Sequence, residues 1–233
     1  MARILLLSNS TAPGRAYLEH AREILAETLD GVAAVAFVPY ALADLDAYTA
    51  TVATALAPFG VTTHGVHESP NVLSESGAVF VGGGNTFRLV KRLHEEGLIG
   101  TIRNVVGQGT PYIGSSAGTN VACPKISTTN DMPIVEPPSF DALRLVPFQI
   151  NPHYVDPDPA SIHQGETRQE RIQQYLEENP GPVLGMREGT WLTSNGAGGT
   201  LGGIAAGARL FTRSGESEIA PGTDLGHLWR ARP

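Results

Sequence analysis

The sequence predicts an α/β protein with a mostly parallel sheet flanked by helices and a β-hairpin region near the C-terminus. Short, continuous apolar runs such as Ile4–Leu7 and Ala78–Val81 alternate with longer segments of helical periodicity. Small, glycine-containing turns follow two of the apolar runs at the point where a helical segment begins. The length of 233 residues suits one domain, which we expect to span residues 1–233.

Composition excludes several classes of protein. The net charge of −7 argues against a nucleic-acid or anionic-membrane partner. The chain has one cysteine, Cys123, so neither a disulfide framework nor a cysteine-rich metal site is expected. The N-terminal apolar run is too short for a membrane span and is predicted to be a strand, not a signal peptide. The cytoplasm is therefore the expected compartment.

The first half of the chain alternates strands and helices. Strands are predicted at 4–7, 32–38, 61–66 and 78–81, and helices at 17–29, 45–59, 87–96 and 98–108, with a short connection or helix at 69–76. A polar loop at 8–14 follows the first strand. Open α/β sheets place ligands at this carboxyl edge of the strands.

The second half has weaker periodicity. An apolar run at 143–150 predicts a strand that ends before His153, and a charged helix is predicted to run from His163 to Glu178. A strand at 182–186, a turn at 187–190 and a returning strand at 191–193 predict a β-hairpin with Glu188 at its tip. The glycine-rich tail at 195–226 predicts short antiparallel strands and loops.

The segment from Gly114 to Gly118 has the form Gly-x-Ser-x-Gly between an apolar run and a small-residue helix. This pattern is typical of a nucleophile elbow, a sharp strand-to-helix turn that presents one side chain above the sheet. Ser116 is the presented side chain and the candidate nucleophile. The N–H group of Ala117, at the start of the helix, is a candidate oxyanion donor. The same pattern also occurs in ordinary turns.

A second glycine-containing turn, Gly82-Gly83-Gly84-Asn85, follows the strand at 78–81. One interpretation is a nucleotide phosphate loop, although the dinucleotide fingerprint and the Walker lysine pattern are both missing from it. A second is an oxyanion site, with Gly84 N–H as the donor. A third is a tight turn in which Asn85 caps the next helix.

His153 is the candidate general base, because it follows a predicted strand and a proline that stiffens its approach. Two carboxylates, Asp131 and Glu188, could orient it, and chain order does not decide between them. Glu188 is slightly favoured because a turn-tip carboxylate has reach. Arg168 either belongs to a solvated helix face or pairs with a substrate carboxylate.

The chain resembles the peptidase E family of serine peptidases, the α-aspartyl dipeptidases, over nearly its whole length. The matching segments are 6–11, 81–87, 112–114, 116–118, 128–135, 140–143, 149–153, 165–168 and 188–189 before Trp191. One departure is Ser115, where the family often has tryptophan. That change affects the wall of the site and leaves the nucleophile in place.

The resemblance implies a flavodoxin-like, three-layer fold of the class I glutamine amidotransferase type. It also implies a homodimer that hydrolyses small acidic dipeptides, those with N-terminal aspartate, without metal or cofactor. The arginine that matches Arg168 would recognise the aspartate, and Asn85 and Thr129 are expected polar contacts. Both Asp131 and Glu188 match family motifs, so the partner of His153 stays open.

Three other functions are compatible with parts of the sequence. Cyanophycinase-like relatives share the elbow and cleave β-aspartyl links. A non-enzymatic member of the fold would only bind a small acidic ligand, although it would not need Ser116, His153 and two candidate carboxylates. A nucleotide-binding protein would use the glycine turn alone. Activity on α- and β-aspartyl dipeptides, labelling of Ser116 and nucleotide titration separate these possibilities.

Overall fold

The computed structural model describes residues 3–69, 71–160, 162, 164–204 and 207–230. Two sheets form its framework. The first contains seven strands: β1 (Ile4–Leu7), β2 (Ala34–Val38), β3 (Thr62–Gly65), β4 (Ala78–Val81), β5 (Tyr112–Ser115), β8 (Thr190–Ser194) and β9 (Gly199–Gly203). The second contains four strands: β6 (Gln149–Pro152), β7 (Val183–Met186), β10 (Ala208–Thr212) and β11 (Gly215–Ile219).

The seven-stranded sheet has the order β3-β2-β4-β5-β1-β8-β9. Its first five strands are parallel, and β8 and β9 continue it antiparallel. In the register of β1 and β5, Leu7 pairs with Ser115, so the loops after these two strands lie side by side. The predicted strands at 4–7 and 78–81 are confirmed at their bounds.

Helices cover both faces of this sheet. They are α1 (Arg22–Thr28), α2 (Leu45–Leu56), α3 (Val72–Glu75), α4 (Thr86–Glu95), α5 (Leu98–Gly107), α6 (Ala117–Ala122) and α8 (His227–Arg230). Helix α7 (Arg168–Glu178) packs instead on the second sheet. Short 3-10 turns at Glu19–Ala21 and Ala57–Phe59 flank α1 and α2. Among the described residues, no helix combines the length and the apolar character that a bilayer crossing requires.

Alternation along the strands divides the core into two layers. Leu5 and Leu7 of β1 pack with α1 and α2 on one face, whereas Leu6 packs with α4, α5 and α6 on the other. Every residue of β1 is buried, because the strand lies between these two layers. This helix–sheet–helix arrangement confirms the predicted three-layer α/β class.

The second sheet has the order β11-β10-β7-β6, with β6 and β7 parallel and the other neighbours antiparallel. A small separate core lies under it, formed by Tyr154, Ile172, Leu176, Val183 and Phe211. The prediction of short antiparallel strands in the tail is confirmed by β9, β10 and β11.

The predicted β-hairpin around Glu188 is wrong, because its two strands lie in different sheets. β8 pairs with β1, whose edge would otherwise carry unpaired backbone groups, and β7 pairs with β6 and β10. The connecting turn crosses between the sheets and is closed by the N–H and Oγ1 of Thr190, which donate to the Arg187 carbonyl at 3.2 and 2.5 Å.

Two segments of the second half differ most from their predicted boundaries. The helix expected from His163 begins at Arg168, because Thr167 and Glu170 form a capping box there; His163 itself lies outside the described residues. The apolar run at 143–150 is mostly irregular, and β6 begins only at Gln149. Hydrophobicity without alternation did not distinguish a strand from a buried loop in that run.

Candidate active site

Ser116 lies at the junction of β5 and α6 with a backbone φ of 52° and ψ of −106°. The turn leaves no space for a side chain at either of the two flanking glycines. A Cβ atom added to Gly114 would lie 2.6 Å from the Gly118 carbonyl oxygen, and one added to Gly118 would lie 2.0 Å from the Val81 carbonyl oxygen. Close packing therefore imposes the Gly-x-Ser-x-Gly pattern and fixes Ser116 in its unusual conformation.

His153 follows directly after β6, and its backbone φ of 54° also lies in the left-handed region. Its Nε2 atom lies 2.9 Å from Ser116 Oγ. The imidazole side chain is about one-third exposed, at 35%. The histidine and the serine therefore meet from different sheets at a position that is partly open to solvent.

Glu188 lies in the turn that crosses from β7 to β8. Its Oε1 atom lies 2.8 Å from His153 Nδ1. The three side chains thus form one hydrogen-bonded chain from Ser116 through His153 to Glu188. This is the order of contacts in which a carboxylate orients an imidazole toward a hydroxyl.

Asp131, the alternative carboxylate, occupies another position. Its Oδ2 accepts from the backbone N–H of Thr86 at 2.7 Å, at the first residue of α4. A carboxylate at a helix N-terminus stabilises the unpaired N–H groups and the helix dipole. Thr129 lies beside it, and its Oγ1 donates to Thr86 Oγ1 at 3.0 Å and accepts from Asp131 N–H at 3.2 Å.

The glycine turn between β4 and α4 lies directly behind the serine. A Cβ atom on Gly83 would be 3.1 Å from Ser116 Cβ. Gly84 has a φ of 130°, and a Cβ atom there would be 2.6 Å from the Ala41 carbonyl oxygen, so this position requires glycine. Asn85 caps α4, with Oδ1 accepting from Arg88 N–H at 3.0 Å, and its Nδ2 donates to the Met132 carbonyl at 2.9 Å.

Two basic side chains lie near Glu188. Arg168 is the first residue of α7 and is half-buried, and its Nη1 atom has no hydrogen-bond partner among the described residues. Burial lowers the pKa of Arg168, and the negative charge of Glu188 opposes that shift. Burial also lowers the pKa of His20, which Glu188 again opposes. One buried guanidinium nitrogen near Glu188 is therefore without a hydrogen-bond partner among the described residues.

Comparison with known proteins assigns the chain to a family. A family model described as peptidase family S51 matches residues 4–202. The chain belongs to peptidase family S51. Peptidase E of Streptomyces coelicolor is 56% identical to it, over 98% of this chain and 96% of that protein. A Drosophila melanogaster protein named for alpha-aspartyl dipeptidase activity is 51% identical, over 97% of this chain and 96% of that protein.

Solved structures share the fold of this S51 member. The crystal structure of a peptidase from an acI-B1 actinobacterium superposes with a TM-score of 0.72 over 97% of this chain and 96% of that chain, at 14% identity. The likeness confirms the predicted flavodoxin-like, amidotransferase-type fold. The family and the curated relatives confirm that the chain is a peptidase, and hence a hydrolase.

Several polar residues that hold the S51 site together were not assigned a role from the sequence. Asn130 Nδ2 donates to the Pro152 carbonyl at 2.8 Å, next to His153, and Asn151 Nδ2 donates to the Thr128 carbonyl at 2.8 Å. Ser8 and Asn9, directly after β1, contact the segments that carry His153 and Glu188. Their position at the carboxyl end of a buried parallel strand is the sequence signal that could have identified them.

Proposed function

We propose that this S51 peptidase is a serine-type dipeptidase that hydrolyses dipeptides with N-terminal aspartate. The observation that carries the proposal is the continuous hydrogen-bonded chain of Ser116, His153 and Glu188, with contacts of 2.9 and 2.8 Å. The relatives named for peptidase E and alpha-aspartyl dipeptidase activity support the choice of substrate.

In the proposed mechanism, Ser116 Oγ attacks the carbonyl carbon of the peptide bond while His153 Nε2 accepts its proton. The tetrahedral intermediate collapses as the C–N bond breaks, and His153 returns the proton to the leaving amine. Water then attacks the acyl-enzyme by the same proton transfers, which releases aspartate and restores Ser116. Glu188 holds the imidazole in the required tautomer and stabilises its cationic form.

The negative charge on the intermediate requires donors that are already in place. We assign this role to the backbone N–H groups of Gly84 and Ala117. Ala117 begins α6 directly after the nucleophile, and the glycine turn packs against Ser116 from behind. Preorganised donors of this kind stabilise a developing oxyanion more than water does because they need no reorientation.

Arg168 is the proposed partner of the substrate's aspartate side chain. Its Nη1 atom is buried and has no partner among the described residues, so a bound carboxylate would satisfy it. Asn85 and Thr129 already use polar atoms to cap and brace α4. We therefore assign them to the wall beside the aspartate site, where they fix the glycine turn.

The proposal includes a homodimer acting in the cytoplasm. The resemblance to peptidase E supports the dimer, and the loop after Asp131 exposes Met132, Ile134 and Phe140, side chains that self-association can bury. The single cysteine is buried, in keeping with a reducing compartment. Analytical ultracentrifugation at micromolar concentration tests the dimer, and a monomer alone would remove that part of the proposal.

The deciding experiment compares hydrolysis of Asp-Leu, Ala-Leu, Glu-Leu and β-Asp-Leu by the purified protein and by Ser116→Ala. Hydrolysis of Asp-Leu alone, lost in the variant, is the expected result. Hydrolysis of β-Asp-Leu alone would replace the proposal with a cyanophycinase-like activity. No hydrolysis, with Ser116 unreactive toward a fluorophosphonate, would reject the peptidase mechanism.

A further inference from the structure

Two buried polar side chains at the carboxyl end of β1 contact the segments that carry the base and the carboxylate. Ser8 and Asn9 are 0% and 1% exposed, so neither is available to substrate. Most buried hydroxyl and amide groups in proteins have hydrogen-bond partners, because leaving them unpaired costs free energy. The partners of these two residues therefore indicate their role.

The hydroxyl of Ser8 connects both strands that lead into the site from the second sheet. Its Oγ accepts from the backbone N–H of His153 at 2.9 Å and donates to the carbonyl of Met186 at 2.8 Å. β6 ends at Pro152 and β7 ends at Met186, so the hydroxyl fixes both strand ends at once. The N–H of His153 needs this acceptor, because the left-handed backbone of His153 lies beyond the end of the strand.

Asn9 fixes the other partner of the imidazole. Its Oδ1 accepts from the N–H of Gly189 at 2.8 Å, the residue directly after Glu188. The N–H of Ser8 also donates to the carbonyl of Thr190 at 3.0 Å. The turn that presents the carboxylate is therefore held from two sides by consecutive residues of one loop.

These contacts matter because the hydrogen-bonded chain spans two sheets. Ser116 follows β5 of the seven-stranded sheet, whereas His153 and Glu188 follow β6 and β7 of the four-stranded sheet. β1 neighbours β5 in the first sheet, and its next two residues bond to the second. A change in the docking of the sheets would separate His153 from Ser116 without altering either side chain.

We infer that Ser8 and Asn9 are positioning residues, which set the distance and angle between the nucleophile on one sheet and the base and carboxylate on the other. The inference rests on the proposed serine peptidase function. Ser8→Ala removes the contacts to His153 and Met186 and leaves all three reacting side chains intact. A misplacement on the order of 1 Å lowers turnover by up to about 100-fold.

The chain provides a matched control in Ser194, a mostly buried serine paired with Ile4 at the opposite end of β1. Its hydroxyl also donates to a carbonyl, that of Gly198 at 2.6 Å, and accepts from an N–H, that of Gly196 at 2.9 Å. Each substitution therefore removes one donated and one accepted hydrogen bond. Ser8→Ala removes them next to the site, and Ser194→Ala removes them at the other end of β1.

The experiment measures kcat and KM for Asp-Leu, the pH profile of kcat/KM, the labelling rate of Ser116 by a fluorophosphonate, and Tm. We expect both variants to lower Tm. We expect Ser8→Ala alone to lower kcat and the labelling rate about 10- to 100-fold, with a shifted pH profile and little change in KM. Asn9→Ala is the second variant should Ser8→Ala fail to fold, and it should lower kcat in the same way.

Equal kcat in Ser8→Ala and wild type, or equal losses in Ser8→Ala and Ser194→Ala, would overturn the inference. Failure of the proposed function is distinguishable. If wild type hydrolyses no dipeptide but a fluorophosphonate still labels Ser116, the labelling rates of the two variants decide the positioning role alone. A wild type that is neither active nor labelled would reject the proposed function and the inference with it.

Discussion

The two sheets hold their parts of the site in different ways. In the seven-stranded sheet, backbone packing around Gly114 and Gly118 fixes Ser116 with no space for an added methyl group. In the four-stranded sheet, polar contacts fix His153 and Glu188, whose side chains are 35% and 44% exposed. The position of Ser116 should therefore be sensitive to volume changes, and the positions of His153 and Glu188 to the loss of single polar atoms.

Ion pairs supplement hydrophobic packing on the small sheet. Arg187 binds Asp156 with contacts of 2.6 and 2.9 Å and Glu218 with contacts of 2.9 and 3.0 Å. This joins the segment after His153 to the segment before Glu188. Beneath it, the rings of Tyr154 and Phe211 pack edge to face at 5.4 Å. A small core supplemented by charge pairs is more sensitive to pH than the buried sheet.

The largest effect is expected from Glu188→Gln. The substitution keeps the size of the side chain but removes the charge that stabilises protonated His153. Turnover of Asp-Leu should therefore fall on the order of 10³- to 10⁴-fold. Steady-state kinetics with unchanged circular dichroism is the measurement.

Asp131→Asn is the matched control, because Asp131 caps α4 instead of contacting His153. It should lower the free energy of unfolding by about 1 kcal/mol and leave turnover within roughly tenfold of wild type. A loss in Asp131→Asn as large as that in Glu188→Gln would exchange the roles of the two carboxylates.

The second-largest effect is expected from Arg168→Ala, which should reduce discrimination between substrates. Loss of the guanidinium leaves the substrate carboxylate unpaired, so the preference for Asp-Leu over Ala-Leu in kcat/KM should fall by about 30- to 100-fold, or roughly 2 to 3 kcal/mol. The control is Arg171→Ala on the same helix, where the side chain is mostly exposed and 3.9 Å from Glu166. Unchanged discrimination in Arg168→Ala would remove this residue from the recognition of aspartate.

Gly118→Ala tests the packing around Ser116. The new Cβ would lie 2.0 Å from the Val81 carbonyl oxygen, so the free energy of unfolding should fall by about 2 to 3 kcal/mol. Gly100 lies in α5 with no atom within 4 Å of an added Cβ, so Gly100→Ala should instead raise it by up to about 1 kcal/mol. Urea denaturation measures both, and two changes of the same sign would contradict the packing argument.

The smallest effect is expected at Asp156, where hydrogen bonds from Arg187 lower the pKa of the carboxyl group below its ordinary value of 3.8. A lowered folded-state pKa stabilises the fold above the unfolded-state value, and this contribution disappears as pH falls through the folded-state value. Asp156→Asn should therefore cost about 1 kcal/mol at neutral pH, after discounting for solvent screening, and less at about pH 3. Denaturant titrations at both pH values measure this, and a pH-independent cost would refute it.

Local patterns predicted the elements that local interactions determine. The strand at 78–81, the capped helix after Asn85 and the turn around Ser116 each have their own sequence signal, because buried apolar runs, helix caps and crowded glycines act within a few residues. The resemblance to a known family added the substrate class and the expected role of Arg168 in recognising aspartate.

Non-local pairing determined what the sequence did not reveal. The segments around Glu188 read as a hairpin because nearest strands usually pair, yet β8 pairs with β1, nearly the whole chain away. The same long-range contact decides which carboxylate reaches His153 and places Asn9 against Gly189. No periodicity within either segment encodes these distances.

The backbone of Ser116 also bears on how catalytic activity is kept or lost in evolution. A non-glycine residue at φ 52° and ψ −106° carries a conformational penalty of about 1 to 3 kcal/mol. Replacing this serine with glycine would remove the proposed nucleophile and relieve that penalty in one step. A folded, non-catalytic variant is thus one substitution away, because the role proposed for this hydroxyl is in turnover and not in folding.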